Sequence, residues 1–351
     1  MIDSVKDPRV LIVGGYGKVG LAITEYLVGC TGYRITLAGR HPEKGVAALR
    51  RFQSLAVVDS ILFDVNSDKS DWDDTLKMFN IVITCIDTDQ TNLVEACIKL
   101  GIHYLDVTAN DVYHQQVEKL AARYDVRSTV LMSIGLAPGL TNLLAADVVR
   151  SSSADCVDIS ILLGSGENHG RAAIHWTIKE LLNSAIQKRK NRIRKKFFGA
   201  ELGTRMAFPF NFSDQYSLQR TQKNVMFQTR LSLDRSLLNF SILSIYKIPY
   251  LAKLLKLLSI DSLVDMLLLF KSESDVFSVL VEGFQKSASS KRVGIKVLRG
   301  YGEGKITGLV GALACMKVHE KQKNGIFHIH EFIKLEEIQA DLLKAGCVFQ
   351  E

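Results

Sequence analysis

An apolar run, Val10 to Val13, leads directly into Gly14-Gly15-Tyr16-Gly17-Lys18-Val19-Gly20, and an amphipathic segment carrying Ile23, Tyr26 and Leu27 follows. A strand that ends in glycines at 15, 17 and 20 and opens a helix constrains the fold strongly. It is the first β-turn-α of a doubly wound sheet, in which each glycine has a steric task. Gly15 permits the tight turn, Gly17 lets main chain approach a diphosphate, and Gly20 lets the new helix lie close to the strand. A helix expected over 18–30 would aim its first N–H groups and the positive end of its dipole at the phosphates. Gly15, Tyr16, Gly17, Lys18, Val19 and Gly20 are therefore the expected dinucleotide-binding residues.

A second strand, Arg34 to Ala38, follows within one βαβ length and ends in Gly39-Arg40-His41-Pro42-Glu43-Lys44. A fold built for NAD places a carboxylate at this strand end to accept from the ribose hydroxyls. Arg40 instead suits the 2′-phosphate of NADP, which a guanidinium can clasp through two charge-assisted hydrogen bonds, with Lys44 as a second positive charge. NADP is the expected cofactor.

Strand and helix patterns continue to alternate to about Ser133. Strands are expected at 60–65, 80–86, 103–107 and 128–133, with helices between them, as in a parallel sheet covered on both faces. Ligands in such sheets bind beyond the carboxyl ends of the strands. That rule adds Asp64, Val65, Cys85, Ile86 and Asp87 to the expected cofactor contacts. Beyond Gly135 the strands lengthen (157–163, 225–233, 276–282), the pattern of an α+β domain with helices on one side of its sheet. A small-residue run from Gly304 to His319 has helical spacing and suits very close packing. The expected division is a Rossmann-type NAD(P)-binding domain over 1–135, an α+β substrate-binding and dimerisation domain over 136–302, and C-terminal helices over 303–351 that return to the first domain.

With 351 residues and 47% apolar content, the chain can bury a core in each of two domains. Six scattered cysteines, without metal-like spacing, and no leader peptide before the first strand read as reduced thiols in the cytoplasm. The net charge of +7 owes much to one run: Lys188, Arg189, Lys190, Arg192, Arg194, Lys195 and Lys196. It reads as a solvated helix end or loop, and without interleaved aromatics it gives no nucleic-acid signature. The apolar stretch from Leu237 to Phe270 is broken by Lys247, Pro249, Lys253, Lys256, Asp261 and Asp265. This leaves no window near the roughly 20 apolar residues of a membrane helix. Helices buried in an interface or core are the first reading, and attachment to a membrane surface is the second.

Several segments together resemble the saccharopine dehydrogenase-like family of NAD(P)-dependent oxidoreductases. They are the glycine turn, Ala38-Gly39-Arg40, the stretch from Ala96 to Thr108 with its Tyr104-Leu105-Asp106, and the stretch from Gly135 to Ala145 with its Pro138-Gly139. The resemblance implies a Rossmann domain followed by a substrate and dimerisation domain, a homodimer, and hydride transfer at a carbon–nitrogen bond of an amino-acid-derived substrate. The competing expectation is an NADP-binding scaffold without chemistry, associated with a membrane surface.

Candidate catalytic groups are few. Tyr104 and Asp106, two apart on a strand, share one side and either reach ligand or anchor the strand. His169 and His175 are candidate proton donors, because imidazole titrates near neutrality. Pro138 and Asn142 bracket a turn before a helix start, which either presents N–H groups and an amide to a ligand or simply caps the helix.

Overall fold

The computed structural model describes residues 8–30, 32–52, 57–67, 72–166, 171–186, 193–268, 274–286 and 291–350. The chain forms two units: Met1–Leu143 with Gly304–Gln339, and Leu144–Glu303 with Ala340–Glu351. In the first, β1 (Arg9–Val13), α1 (Lys18–Cys30), β2 (Arg34–Gly39), α2 (Pro42–Leu49) and β3 (Val58–Leu62) make one half. The other half contains α3 (Trp72–Leu76), β4 (Ile81–Thr84), α4 (Asn92–Leu100), β5 (His103–Asp106), α5 (Asp111–Glu118) and β6 (Thr129–Met132). Helix α6 (Thr141–Ser151) follows.

The second unit runs β7 (Cys156–Leu163), α7 (Arg171–Ile186), β8 (Arg194–Phe197), β9 (Thr204–Pro209), α8 (Ser213–Thr221) and β10 (Met226–Leu233). It continues through α9 (Ser236–Lys247), α10 (Pro249–Leu255), α11 (Ile260–Leu268), β11 (Val276–Gln285) and β12 (Lys291–Tyr301). The C-terminal part is α12 (Glu303–Lys321), β13 (Gly325–His328), α13 (Ile329–Phe332), α14 (Gln339–Lys344) and β14 (Val348–Gln350).

Seven parallel strands in the order β13-β6-β5-β4-β1-β2-β3 form the first sheet. It is a Rossmann-type doubly wound sheet, and the strand order reverses between β1 and β4. Val10, Leu11 and Ile12 are fully buried, as an interior strand covered on both faces requires. Asn110 closes the start of α5 by accepting from the N–H groups of Val112 and Tyr113. The small residues of α12 meet α1: a methyl added to Gly308 would collide with Ala22, and one added to Gly311 would lie 2.9 Å from Ile23.

The second sheet is mixed, in the order β14-β12-β11-β7-β10-β9-β8, with β7 and β10 parallel and the remaining pairs antiparallel. Together with α7 to α11 this makes the second unit α+β. Its seven strands exceed the three long runs visible in the sequence, because four- to six-residue strands such as β8 and β9 carry little periodic signal.

Two expectations are corrected here. Residues 303–351 are not all helical: β13 extends the first sheet beside β6, and β14 pairs with β12 in the second unit. Lys196 does not lie on a solvated face. Alternation along β8 turns it inward, where it meets Asp158 at 2.7 Å and Glu282 at 2.5 Å; Arg230 also bonds Asp158, at 2.7 Å. Lys188, Arg189, Lys190 and Arg192 lie outside the described residues. The segment holding α9 to α11 carries apolar side chains that the chain itself leaves uncovered. Leu237, Phe240, Ile248, Tyr250, Leu254, Leu257, Leu258 and Met266 remain exposed, eight of the 17 large apolar side chains that are exposed among the described residues. No helix among the described residues is long and apolar enough to cross a membrane.

Candidate cofactor site

The first unit builds its site at the carboxyl ends of β1, β2 and β4, beside the point where the strand order reverses. Gly14 leaves β1 at φ 77° and donates to the Ala38 carbonyl at 2.9 Å, which ties the turn to β2. A Cβ on Gly15 would stand 2.8 Å from the Ile12 carbonyl oxygen, and one on Gly20 only 2.6 Å from the Gly15 Cα. These two glycines are required by the protein's own packing. Gly17 differs, since it is exposed and a Cβ there would meet only the Gly14 carbonyl oxygen, at 3.2 Å. Its missing side chain leaves open the space in front of the α1 N-terminus, a cradle that fits a diphosphate and that a side chain would fill. Lys18 is exposed and Val19 half-buried in the first turn of that helix.

Tyr16 forms the bridge to the end of β2. Its hydroxyl donates to the Ile61 carbonyl at 3.0 Å, and its ring lies against Gly39 and Gly45. Burial, followed by the Glu43 charge, pushes its pKa up. Arg40 leaves the strand end exposed and has no hydrogen-bond or ion-pair partner among the described residues. The neighbouring carboxylate, Glu43, pairs with His41 at 3.2 Å. An unpaired guanidinium at this strand end fits a 2′-phosphate.

On the β4 side, Cys85 donates its N–H to the Val13 carbonyl at 2.9 Å, and the Ile86 side chain lies against Gly14. Val65, Thr84, Ile86, Thr88 and Tyr104 line a small crevice there, of about 10 Å³. Cys85 is a thiol, its pKa raised by burial. Asp64 lies beyond the shorter-than-expected β3 and is committed to its own turn, accepting from the Asn66 N–H at 2.9 Å. Asp87 accepts from the Thr108 hydroxyl at 3.1 Å.

Tyr104 and Asp106 do share one side of β5, but both are fully buried. The Tyr104 hydroxyl donates to Asp106 Oδ2 at 2.8 Å and lies 2.9 Å from the Tyr113 hydroxyl, and the Thr108 N–H donates to Asp106 Oδ1 at 2.7 Å. Burial pushes the Asp106 pKa up to about 6 against the opposing effect of these hydrogen bonds. In this network the polar atoms of the pair satisfy one another together with Tyr113 and the Thr108 main chain. Asn142 is likewise turned inward, with Oδ1 accepting from the Gly139 N–H at 3.0 Å, and Pro138 is buried. His175 lies half-buried on α7 in the second unit. His169 falls outside the described residues.

Sequence reasoning missed a second polar group at the ends of β6 and β13. Ser133 Oγ lies 2.8 Å from His328 Nδ1, and His328 Nε2 lies 3.0 Å from Glu118 Oε1. A histidine 195 positions away carries no local signal linking it to Ser133. Among the described residues no cluster of histidine, cysteine and carboxylate could hold a metal ion.

Residues 10–132 match the family model described as the saccharopine dehydrogenase NADP-binding domain. No curated protein matches the sequence. Among solved structures, the chain is similar to apo saccharopine dehydrogenase (L-Glu forming) from Saccharomyces cerevisiae, with a TM-score of 0.67 and 13% identity over 98% of this chain and 100% of that one. It is also similar to a C. glutamicum DAP dehydrogenase in complex with DAP, with a TM-score of 0.48 and 14% identity over 96% and 99%. The first likeness shows a common fold over the whole chain. The cradle and the exposed guanidinium lie inside the segment that matches the saccharopine dehydrogenase NADP-binding domain model, residues 10–132, in a chain that shares the fold of the yeast saccharopine dehydrogenase.

Proposed function

We propose that the protein is an NADPH-dependent oxidoreductase that transfers hydride at a carbon–nitrogen bond of an amino-acid-derived small molecule, as a cytoplasmic homodimer. The observation that carries this reading is the glycine cradle at the α1 N-terminus combined with the exposed Arg40 at the end of β2, which has no partner among the described residues, inside the matched NADP-binding segment. The substrate class rests on the L-Glu-forming saccharopine dehydrogenase whose fold the chain shares.

When bound, NADPH supplies the hydride. The chain's task is to hold and orient it. Main-chain N–H groups of the first turn of α1 would receive the diphosphate, since those of Gly15 and Gly17 already donate to the Ile12 and Gly14 carbonyls, and Arg40 with Lys44 would receive the 2′-phosphate. Ile86 and Val65, both half-buried, put apolar surface beside the ends of β3 and β4. His169 and His175 are the proposed proton donors.

The test is a screen of amine and keto-acid pairs with NADPH oxidation followed by absorbance. Turnover with one such pair supports the reading, and a His175→Asn variant then measures that imidazole's share. The exposed apolar side chains of α9 to α11 favour a second reading, an NADP-binding scaffold at a membrane surface. In that case NADPH binds, no pair in the screen oxidises it, and the protein sediments with anionic vesicles.

A further inference from the structure

Ser133 follows β6 directly and holds φ 60°, a left-handed conformation that a residue with a side chain seldom adopts. It is fully buried. Such backbone persists only where its surroundings over-determine it, and it concentrates at ligand sites. Here the surroundings are a chain of polar atoms. Glu118, on α5, has a side chain 28% exposed and meets His328 Nε2 at 3.0 Å, while His328 Nδ1 meets Ser133 Oγ at 2.8 Å. An ionised carboxylate only accepts, so Nε2 donates to Glu118, and Nδ1 is left to the serine hydroxyl, which can donate or accept.

The imidazole itself is fixed from several sides. Its own main-chain N–H donates to Glu331 Oε2 at 2.9 Å. The His114 ring stands edge-on at 5.6 Å and the His330 ring stacks at 6.0 Å.

What this chain of atoms holds is the turn after β6. Within it Leu140 donates to the Gly135 carbonyl at 2.9 Å, Leu136 donates to Thr307 Oγ1 at 3.3 Å, and Gly139 donates to Asn142 Oδ1 at 3.0 Å. Gly135 and Gly139 have φ of 150° and 139°. The turn lies at the carboxyl end of the β4-β5-β6 half of the sheet. In a doubly wound fold the first half takes the adenosine end of a dinucleotide and the second half the other nucleotide.

We propose that Glu118, His328 and Ser133 are positioning residues that fix the 133–139 main chain against the nicotinamide half of the cofactor. The proposal rests on the NADP reading and touches only one half of the ligand.

Its test compares NADPH with adenosine 2′,5′-bisphosphate, which lacks the nicotinamide nucleotide, by calorimetry alongside thermal unfolding. Ser133→Gly removes the hydroxyl and tolerates the left-handed φ. Loss of a hydrogen bond of this kind corresponds to a rise in NADPH Kd of about tenfold. The bisphosphate Kd stays unchanged in the same variant. Glu118→Ala gives the same pattern. Glu118→Gln, whose amide oxygen still accepts from Nε2, restores NADPH affinity, a rescue that a merely structural role does not require. Folded Ser133→Gly and Glu118→Ala proteins with unchanged NADPH affinity overturn the proposal, as does equal weakening of both ligands. A wild-type protein that binds neither ligand overturns the NADP reading itself and takes this proposal with it, whereas normal bisphosphate binding keeps the two failures apart.

Discussion

The Tyr16 hydroxyl donates to the Ile61 carbonyl at 3.0 Å, and in reaching it the ring passes over the end of β2, where a methyl on Gly39 would sit 2.7 Å from it. The glycine turn, β2 and β3 are thereby locked together, and the next residue, Arg40, leaves the strand exposed. Arg40→Asp should weaken NADPH far more than NADH. A charged hydrogen bond of about 1.5–3 kcal/mol corresponds to roughly a ten- to hundredfold change in preference. Titration of both cofactors checks this, and an equal loss for both would reject a role for Arg40 at the 2′-phosphate.

Gly17→Val should abolish NADPH binding while leaving the fold intact. The new Cβ meets only the Gly14 carbonyl oxygen, at 3.2 Å, so the turn needs to yield by a few tenths of an ångström, whereas the branched side chain fills the phosphate cradle. Gly20→Val serves as the contrast. Its Cβ would lie 2.6 Å from the Gly15 Cα, so stability falls together with binding. Calorimetry with NADPH and a melting curve on each variant distinguish the two, and undiminished NADPH binding by Gly17→Val would remove the cradle assignment.

Much of the first unit was legible because its signals are local. The turn glycines fall within seven residues, and the parallel strands read as continuous apolar runs. Polar side chains at strand ends were harder to read. The two-residue spacing of Tyr104 and Asp106 correctly put them on one side of β5, but spacing cannot tell whether that side meets a ligand or another hydroxyl, and here Tyr113 closes the network. Lys196 was misplaced because charge in a run suggests solvent, while its two carboxylate partners are 38 and 86 positions away. Ser133 and His328 meet only because β13 joins the edge of the sheet, a step that a four-residue strand does not announce.

Lys196→Met should lower stability sharply. Lys196 is 8% exposed and neutralises Asp158 and Glu282, which face each other across β7 and β11. Arg230 and Arg292 remain as partners, but removing one member of a buried ionic cluster typically costs about 3–5 kcal/mol. Urea unfolding measures the loss. A change within about 0.5 kcal/mol, the usual range for surface sites, would mean that the lysine is solvated after all.

The exposed apolar side chains of α9 to α11 bear on assembly. Tyr250 and Leu257 are 80% and 82% exposed, unusual values for such residues on a monomer surface. A homodimer should elute with twice the 39.1 kDa chain mass in light-scattering chromatography, and Phe240→Lys with Leu257→Lys should shift it to the monomer. A wild-type monomer that sediments with anionic vesicles would instead support the membrane-surface reading.

Asp106 should leave a mark on the pH dependence of stability. Its carboxyl rises from 3.8 to about 6 on folding, chiefly through burial. Between those values the folded chain keeps a proton that the unfolded chain has lost, so the native state binds more protons and stability falls as pH rises. The contribution is fully present below about pH 4 and is lost as the pH passes about 6. Over a shift of this size it amounts to about 3 kcal/mol, at 1.36 kcal/mol per pH unit. Asp106→Asn keeps an acceptor for the Tyr104 hydroxyl but does not titrate, so its unfolding free energy should lose this slope between pH 4 and 6 whatever its absolute value. Denaturant titrations at half-unit pH steps on both proteins provide the measurement. Parallel curves across that window would show that the Asp106 carboxyl is ionised in the folded protein over the same range as in the unfolded chain, and that the Tyr104–Asp106–Tyr113 network holds a carboxylate rather than an acid.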